Sequence, residues 1–348
     1  MMSFRQIDFK TLQLPGSTVW FLSEIAEAKG RQGLYTQQSP QLLTRLLETA
    51  LIQSVESSNR IEGVTVELDR LEPLVIGNSK PRNRAEHEIH GYRQALNRIH
   101  RTAKLLPISV ETLCLLHQDC QESSGDAGQL KRVENDIVEL LPGQAPKLRF
   151  KTVDAAQTHK ALEELCASYT RVLNQPEAHP LVVTACLILD FLCIHPFRDG
   201  NGRVARLIAL LSLYHHGFEV GHYISLERLI EESKDEYYQS LFDSSQNWHE
   251  GKHDILPWLN YFLSILRRAY RLFETRVSTL KNARGMKTSL IENALKSFTG
   301  EFTLKQVQEH CPAVGHELIR TVLKSWQKEG KIKSLGRGPG ARWVFISA

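Results

Sequence analysis

The chain has 348 residues, 42% of them hydrophobic and 24% charged, with a formal net charge of +4. That length supports two or three domains and a sizeable core, and the ordinary composition excludes a disordered or low-complexity chain. No apolar run reaches membrane-spanning length and the opening residues lack a signal-like apolar stretch, so the expected location is the cytoplasm, with no membrane partner.

Most of the chain has helical periodicity. An extended beginning is expected first, then a short helix around Leu22 to Ala28 and a longer one from Pro40 to Ile61, closed by Gly63. Ile89, Tyr92, Leu96 and Ile99 recur at helical spacing within Arg84 to Leu106, and Val110 to Gln118 also reads as helix. Several Gly and Pro interrupt the pattern between Gly125 and Phe150, where the β-like run Asp136 to Leu141 suggests a hairpin flap extending to about Pro142. Helices resume over Ala155 to Leu173, Leu181 to Ile194, Asn201 to His216, Leu226 to Phe242 and Ile255 to Phe273.

Between two apolar helices lies His195-Pro196-Phe197-Arg198-Asp199-Gly200-Asn201-Gly202-Arg203-Val204-Ala205-Arg206. Packing alone explains such a polar cluster poorly, because buried polar groups need partners and a ligand is a natural one. Gly200, Asn201 and Gly202 open a helix whose free N–H groups suit phosphate oxygens. Asp199 is placed to hold Mg²⁺ against those oxygens, and Arg203 and Arg206, three apart, share a helix face that can clamp distal phosphates. His195 is suited to take a proton from an incoming hydroxyl.

This run is similar, position for position, to the HPFx(D/E)GN(G/K)RxxR signature of the Fic (filamentation induced by cAMP) family. The resemblance implies a Fic-type helical bundle and transfer of AMP from ATP–Mg²⁺ to a Ser, Thr or Tyr hydroxyl of a target protein, the enzyme itself included. It implies His195 as catalytic base and Asp199 as magnesium ligand. Gly200, Asn201 and Gly202 become the α/β-phosphate cradle, Arg203 a β-phosphate contact and Arg206 the γ-phosphate clamp. Upstream, Ser58-Asn59-Arg60-Ile61-Glu62-Gly63 resembles the (S/T)xxxE(G/N) motif of an inhibitory helix, here about residues 40–62. In the family that glutamate pairs with the second arginine, so Glu62 on Arg206, with Ser58 one turn earlier, implies autoinhibition. Tyr238, in a stretch resembling the family's adenine pocket, is a candidate wall for the base. The flap start Gly128-Gln129-Leu130-Lys131-Arg132 departs from the family's pattern. Leu130 stands for an aromatic and Lys131 for Arg, and the usual proline pair is missing after Phe150.

Beyond residue 280 the charge changes. Lys281 to Ala348 carries 12 Lys+Arg against 5 Asp+Glu, a net of +7, leaving −3 for residues 1–280. Helices at Thr288 to Phe298, Thr303 to His310 and Gly315 to Glu329, then a hairpin from Lys331 to Phe345 with a Gly336 to Gly340 tip, fit a winged helix-turn-helix. Arg320, Lys324, Arg337 and Arg342 are its candidate DNA-phosphate contacts, and a dimerisation or target-docking surface is an equal reading of the same domain. The expected division is therefore 1–105 as an N-terminal region with the inhibitory helix, 106–275 as the catalytic core and 281–348 as the winged-helix domain.

Three alternatives stay open: an enzyme that also removes AMP, with Glu62 positioning a water; transfer of phosphate or a choline phosphate; and a DNA-binding regulator with an idle catalytic domain. The resemblance also implies a homodimer. The six cysteines form no CxxC pair and read as buried thiols, and no GxxxxGK(S/T) or GxGxxG is present.

Overall fold

The structure, a computed structural model, describes residues 2–36, 40–139, 147–175, 178–282, 286–296, 298, 300–336, 338 and 340–346. By contact it divides into two compact units, Met1–Thr36 with Leu43–Phe273, and Glu274–Ala348 with Gln37–Leu42.

The first unit is built on helices, two of which, α3 and α12, have one end counted with the second unit. In order they are α1 (Met2–Gln6), α2 (Gly16–Thr36), α3 (Pro40–Ile61), α4 (Leu68–Val75), α5 (Arg84–Thr102) and α6 (Val110–Cys120). A two-stranded hairpin of β1 (Ile137–Glu139) and β2 (Lys147–Phe150) follows, then α7 (Thr158–Leu173), α8 (Pro180–Ile194), α9 (Asn201–His215), α10 (Leu226–Glu232), α11 (Lys234–Ser245) and α12 (Leu256–Asn282). Helix α8 forms the centre of the bundle. It is apolar on every side, as a helix surrounded by others must be, and packs against α1, α7, α9 and α11. Pro180 opens it at a position whose N–H needs no partner, and His179 caps it by accepting from the Leu181 N–H. Asn83, Ser109 and Ser225 cap α5, α6 and α10 in the same manner.

Four sequence expectations need correction. The beginning is not extended: α1 is a single short helix, below the length at which periodicity shows, and the Ser3 N–H and hydroxyl anchor it to buried Asp190 of α8. Helix α2 runs well past Leu22 to Ala28; its buried face is Thr18, Leu22, Ile25, Ala28 and Gln32, two of them polar, while apolar Val19, Trp20 and Leu34 are exposed, so no clean apolar stripe marks its length. The segment Leu226 to Phe242 is two helices. Ser233, at φ −126° and ψ 39°, breaks the run, and its hydroxyl donates to Leu229 O. In the flap the returning strand is Lys147–Phe150, paired antiparallel as Ile137↔Phe150, Val138↔Leu148 and Glu139↔Lys147. Leu140 to Pro142 lie outside the described residues.

The second unit contains α13 (Met286–Lys296), β3 (Phe302–Thr303), α14 (Leu304–His310), α15 (His316–Lys328), β4 (Ile332–Ser334) and β5 (Arg342–Phe345). Its sheet has the order β3-β5-β4, antiparallel throughout. A compact core of Ile291, Leu295, Phe302, Val307, Ile319, Leu323, Trp326 and Ile332 joins helices to sheet. Thr303 and Gln306 form a reciprocal cap at the start of α14.

Candidate functional site

The loop between α8 and α9 is held by its carbonyls. His195 ends α8 in the left-handed region, φ 50° and ψ 61°, and Gly200 starts α9 at φ +80°, where glycine alone is unstrained. Asn201 closes the loop on itself: its Oδ1 accepts from Phe197 N (2.9 Å) and its Nδ2 donates to Phe197 O (2.7 Å). Asn135 Nδ2 donates to the same carbonyl at 2.6 Å. His117 of α6 accepts from Gly128 N on Nδ1 (2.9 Å), so Nε2 carries the proton and donates to Asp199 O (3.1 Å). Its ring stacks flat on Phe197, centroids 3.9 Å apart. Phe197 is fully buried, which fixes the loop to the core.

Within this frame the His195 ring is set as a base. Its Nδ1 lies 3.3 Å from Leu192 O, an acceptor only, so Nδ1 carries the proton and Nε2 keeps its lone pair. Burial is the largest cause pushing the imidazolium down, to about 4, so the ring is neutral near pH 7. His195 lines a cavity of about 570 Å³ together with Glu62, Gly202, Tyr237, Tyr238, Leu192, Phe242 and, from the flap, Val138 and Phe150.

The start of α9 receives a carboxylate. A Cβ built on Gly202 would overlap Glu62 Oε1, so only a glycine there leaves room for an anion against the helix end. The same oxygen accepts from Arg206 Nη2 at 2.8 Å. Arg206 Nε donates to Ser58 Oγ (2.9 Å) and Nη2 also to Ser58 O (2.8 Å), so Ser58 in the last turn of α3 and Glu62 just past its end grip the guanidinium together. The Arg206 side chain is 3% exposed, yet its Nη1, beside Gly202, has no partner. A buried guanidinium N–H beside a helix N-terminus can donate to a further anionic oxygen. Lys234 Nζ donates to Ile61 O at 2.7 Å and so ties the end of α3 to α11.

The expected site residues therefore meet, with one marked difference. His195, Glu62, Gly202 and Tyr238 border one cavity, and Ser58 and Arg206 lie directly behind Glu62. Gly200 and Asn201 form the turn, although the Asn201 side chain serves the loop and leaves only its backbone N–H for a ligand. Arg203 is different. Its guanidinium is buried on Glu88 of α5 (2.7 Å) and Asn59 (3.4 Å), while that of Arg206 takes Ser58 and Glu62; neither arginine is among the cavity-lining residues. The spacing of three placed both arginines on one side of α9, but the carboxylate of Glu88 claims the first. Tyr238 is 44% exposed at the cavity edge.

Asp199 is the residue suited to a metal. Its Oδ1 accepts from Gly200 N (2.6 Å), its Oδ2 lies 3.9 Å from Arg203 Nη2, and the side chain is 64% exposed. Among the described residues no group of three or more His, Cys, Asp or Glu forms a metal site. One carboxylate beside a phosphate seat fits Mg²⁺ arriving with a nucleotide, since that ion keeps waters and takes the remaining ligands from phosphates.

The sequence reading gave no role to His117, Asn135 or Glu88. Each acts through the fold, from a distant segment, and no local motif marks it. In the second unit Arg320 pairs with Glu317 (2.8 Å) and Arg342 with Glu301 (3.2 Å), Lys324 is exposed on α15, and Arg337 lies outside the described residues.

Residues 107–213 match the Fic/DOC family. A Fido domain-containing protein of Dictyostelium discoideum is 30% identical over 122 residues, which is 35% of this chain and 78% of that protein. The protein adenylyltransferase Fic of Nematostella vectensis is 27% identical over 184 residues, 51% of this chain and 40% of the relative's length. The crystal structure of a Fic family protein from Desulfovibrio desulfuricans superposes with a TM-score of 0.62 at 20% identity, covering 97% of this chain and 98% of the other.

Proposed function

The chain belongs to the Fic/DOC family, and from that premise we propose that it is a protein adenylyltransferase whose nucleotide seat is held shut by Glu62. The observation that carries this is the Glu62 carboxylate, which lies against Gly202 at the start of α9 and on Arg206 while Arg206 Nη1 stays unpartnered. An anion already sits where a helix end and a buried guanidinium would receive a terminal phosphate.

In this reading the phosphates of ATP rest on the backbone N–H groups of Gly200 to Gly202, and Arg206 receives the γ-phosphate once Glu62 leaves. Asp199 would hold Mg²⁺, which when bound offsets phosphate charge. Tyr238, Tyr237 and the apolar wall from α8 and α11 take the base. A hydroxyl of a target segment lying along β1 and β2 gives its proton to His195 Nε2. Its oxygen bonds to the α-phosphorus, the bond from that phosphorus to the bridging oxygen breaks, and pyrophosphate leaves. Positioning and charge stabilisation supply most of the rate, as in other phosphoryl transfers. The test uses Glu62→Gly in lysate with ATP labelled on either the α- or the γ-phosphorus. AMP transfer requires α-label in a protein band, no γ-label, and loss of the band with His195→Ala. γ-Label, or a band indifferent to His195, would refute it.

A second partner is favoured by one feature. The solvent face of α15 presents His316, Arg320, Lys324 and Lys328 at successive turns, opposite the buried Ile319, Val322, Leu323 and Trp326. The surface pairs of Arg320 and Arg342 are weak enough to be exchanged for phosphate oxygens. We propose that this winged-helix-like unit contacts DNA phosphates. Lys324→Ala in the full chain should weaken duplex binding uniformly across sequences and lower the salt slope by about 1; an unchanged slope would remove DNA as the partner.

A further inference from the structure

The base of the flap contains a buried cation that the mechanism above leaves without a task. Lys131 is 5% exposed. Its ammonium has three N–H groups and three acceptors: Asn135 Oδ1 (2.8 Å), Thr152 Oγ1 (2.8 Å) and Ile194 O (3.1 Å). Its backbone N–H donates to Pro196 O at 2.8 Å. The two bonds bracket His195, one on the carbonyl before it and one on the carbonyl after it. Asn135, which accepts from Lys131, also donates to Phe197 O (2.6 Å), so residues 131–135 template three carbonyls of the loop. His195 needs that template. At φ 50° a residue with a β-carbon is strained, and such a conformation persists only where its surroundings impose it.

We infer that Lys131 is a positioning residue for AMP transfer: it locks His195 in the left-handed conformation that presents its ring to the cavity, and it couples that ring to the flap. The inference rests on His195 being the base. The charge adds a second effect. Burial pushes the Lys131 ammonium down, while Glu134, Asp136 and Asp154 support it, and this cation disfavours an imidazolium at His195. Glu62, just past the end of α3, and Asp199 from the loop act the other way on the same ring. Arg149 of β2, Asp235 of α11 and the phenols of Tyr237 and Tyr238 line the same cavity. Without the Lys131 charge, His195 titrates higher.

The test is made on the full chain carrying Glu62→Gly, adding Lys131→Gln or Lys131→Arg. Lys131→Gln should lower kcat for AMP transfer about 10- to 100-fold with KM for ATP little changed. It should also raise the His195 ring titration, followed by NMR, above its starting value. Lys131→Arg, which keeps charge and donors, should restore most of the rate and leave the titration in place. If Lys131→Gln does not fold, Thr152→Val, which removes one acceptor, should lower kcat in the same direction. A Lys131→Gln enzyme with the parent's kcat and pH profile overturns the inference, as does a Thr152→Val enzyme with the parent's kcat where that variant is read. A parent that transfers no AMP, or transfers it without His195, overturns the function instead.

Discussion

Replacing Glu62 with glycine takes the carboxylate off both Arg206 and the start of α9. Arg206 keeps Ser58 Oγ and Ser58 O, but its Nη2 loses a charged acceptor at 2.8 Å while the side chain stays buried. Hydrogen bonds to charged groups contribute about 1.5–3 kcal/mol, and with Glu62 30% exposed the value belongs near the low end, about 2 kcal/mol. An anion at a helix start adds about 0.3–1 kcal/mol. The nucleotide-free variant should therefore be less stable by roughly 2–3 kcal/mol, which lowers Tm by about 5 °C or somewhat more for a unit of this size. The same energy no longer has to be given up when a triphosphate enters, so affinity for Mg²⁺–ATP should rise about 30- to 160-fold. Thermal unfolding with and without Mg²⁺–ATP checks both halves: the variant melts below the wild type when empty and gains more from nucleotide. Glu62→Gln, which keeps shape without charge, should fall between. A variant as stable as the wild type when empty, with no larger nucleotide shift, would show that Glu62 holds nothing shut.

Ser58→Ala removes the acceptor of the buried Arg206 Nε and should lower the stability of the folded protein by about 1 kcal/mol, read by urea unfolding; an unchanged midpoint would show that this bond does not hold the guanidinium. Gly202→Ala, whose Cβ would overlap Glu62 Oε1, should destabilise the wild type and still bind no nucleotide in the Glu62→Gly background; calorimetry showing normal uptake would remove Gly202 from the phosphate seat. Acid should destabilise the protein earlier than its carboxylates dictate. Burial holds His100 down to about 3 and His222 to about 4, so below pH 6.5 the unfolded chain binds protons that the native state refuses. Stability is fully present above pH 6.5 and falls by about 1 kcal/mol per pH unit for each ring until its native titration is reached. Asp190, raised to about 6 by burial, takes up a native-state proton and offsets one of them. His222→Phe should flatten the urea-unfolding slope between pH 6.5 and 4, and an unchanged slope would refute the assignment.

How much of this was legible in the sequence follows the range of the interactions. The Pro40–Ile61 helix was readable because its apolar spacing and the Gly63 stop are local, and the 195–206 run because its chemistry is contiguous. The meeting of Glu62 with Arg206 was expected only through the resemblance, and the structure brings them to 2.8 Å. Arg203 shows the limit. Its position on α9 followed from helical spacing, but Glu88, more than a hundred positions earlier, decided where its charge goes. Lys131 was visible only as a departure from a pattern; its three acceptors come from residues 135, 152 and 194 and carry no shared local signal. Tertiary partners of this kind are set by packing, and periodicity does not encode them.

A crystal structure of Glu62→Gly with Mg²⁺–ATP should show phosphate oxygens against Gly202 and a terminal phosphate oxygen within hydrogen-bond distance of Arg206 Nη1, with the α-phosphorus beside His195. A triphosphate bound elsewhere, or an Arg206 Nη1 that stays unpartnered with nucleotide present, would contradict it.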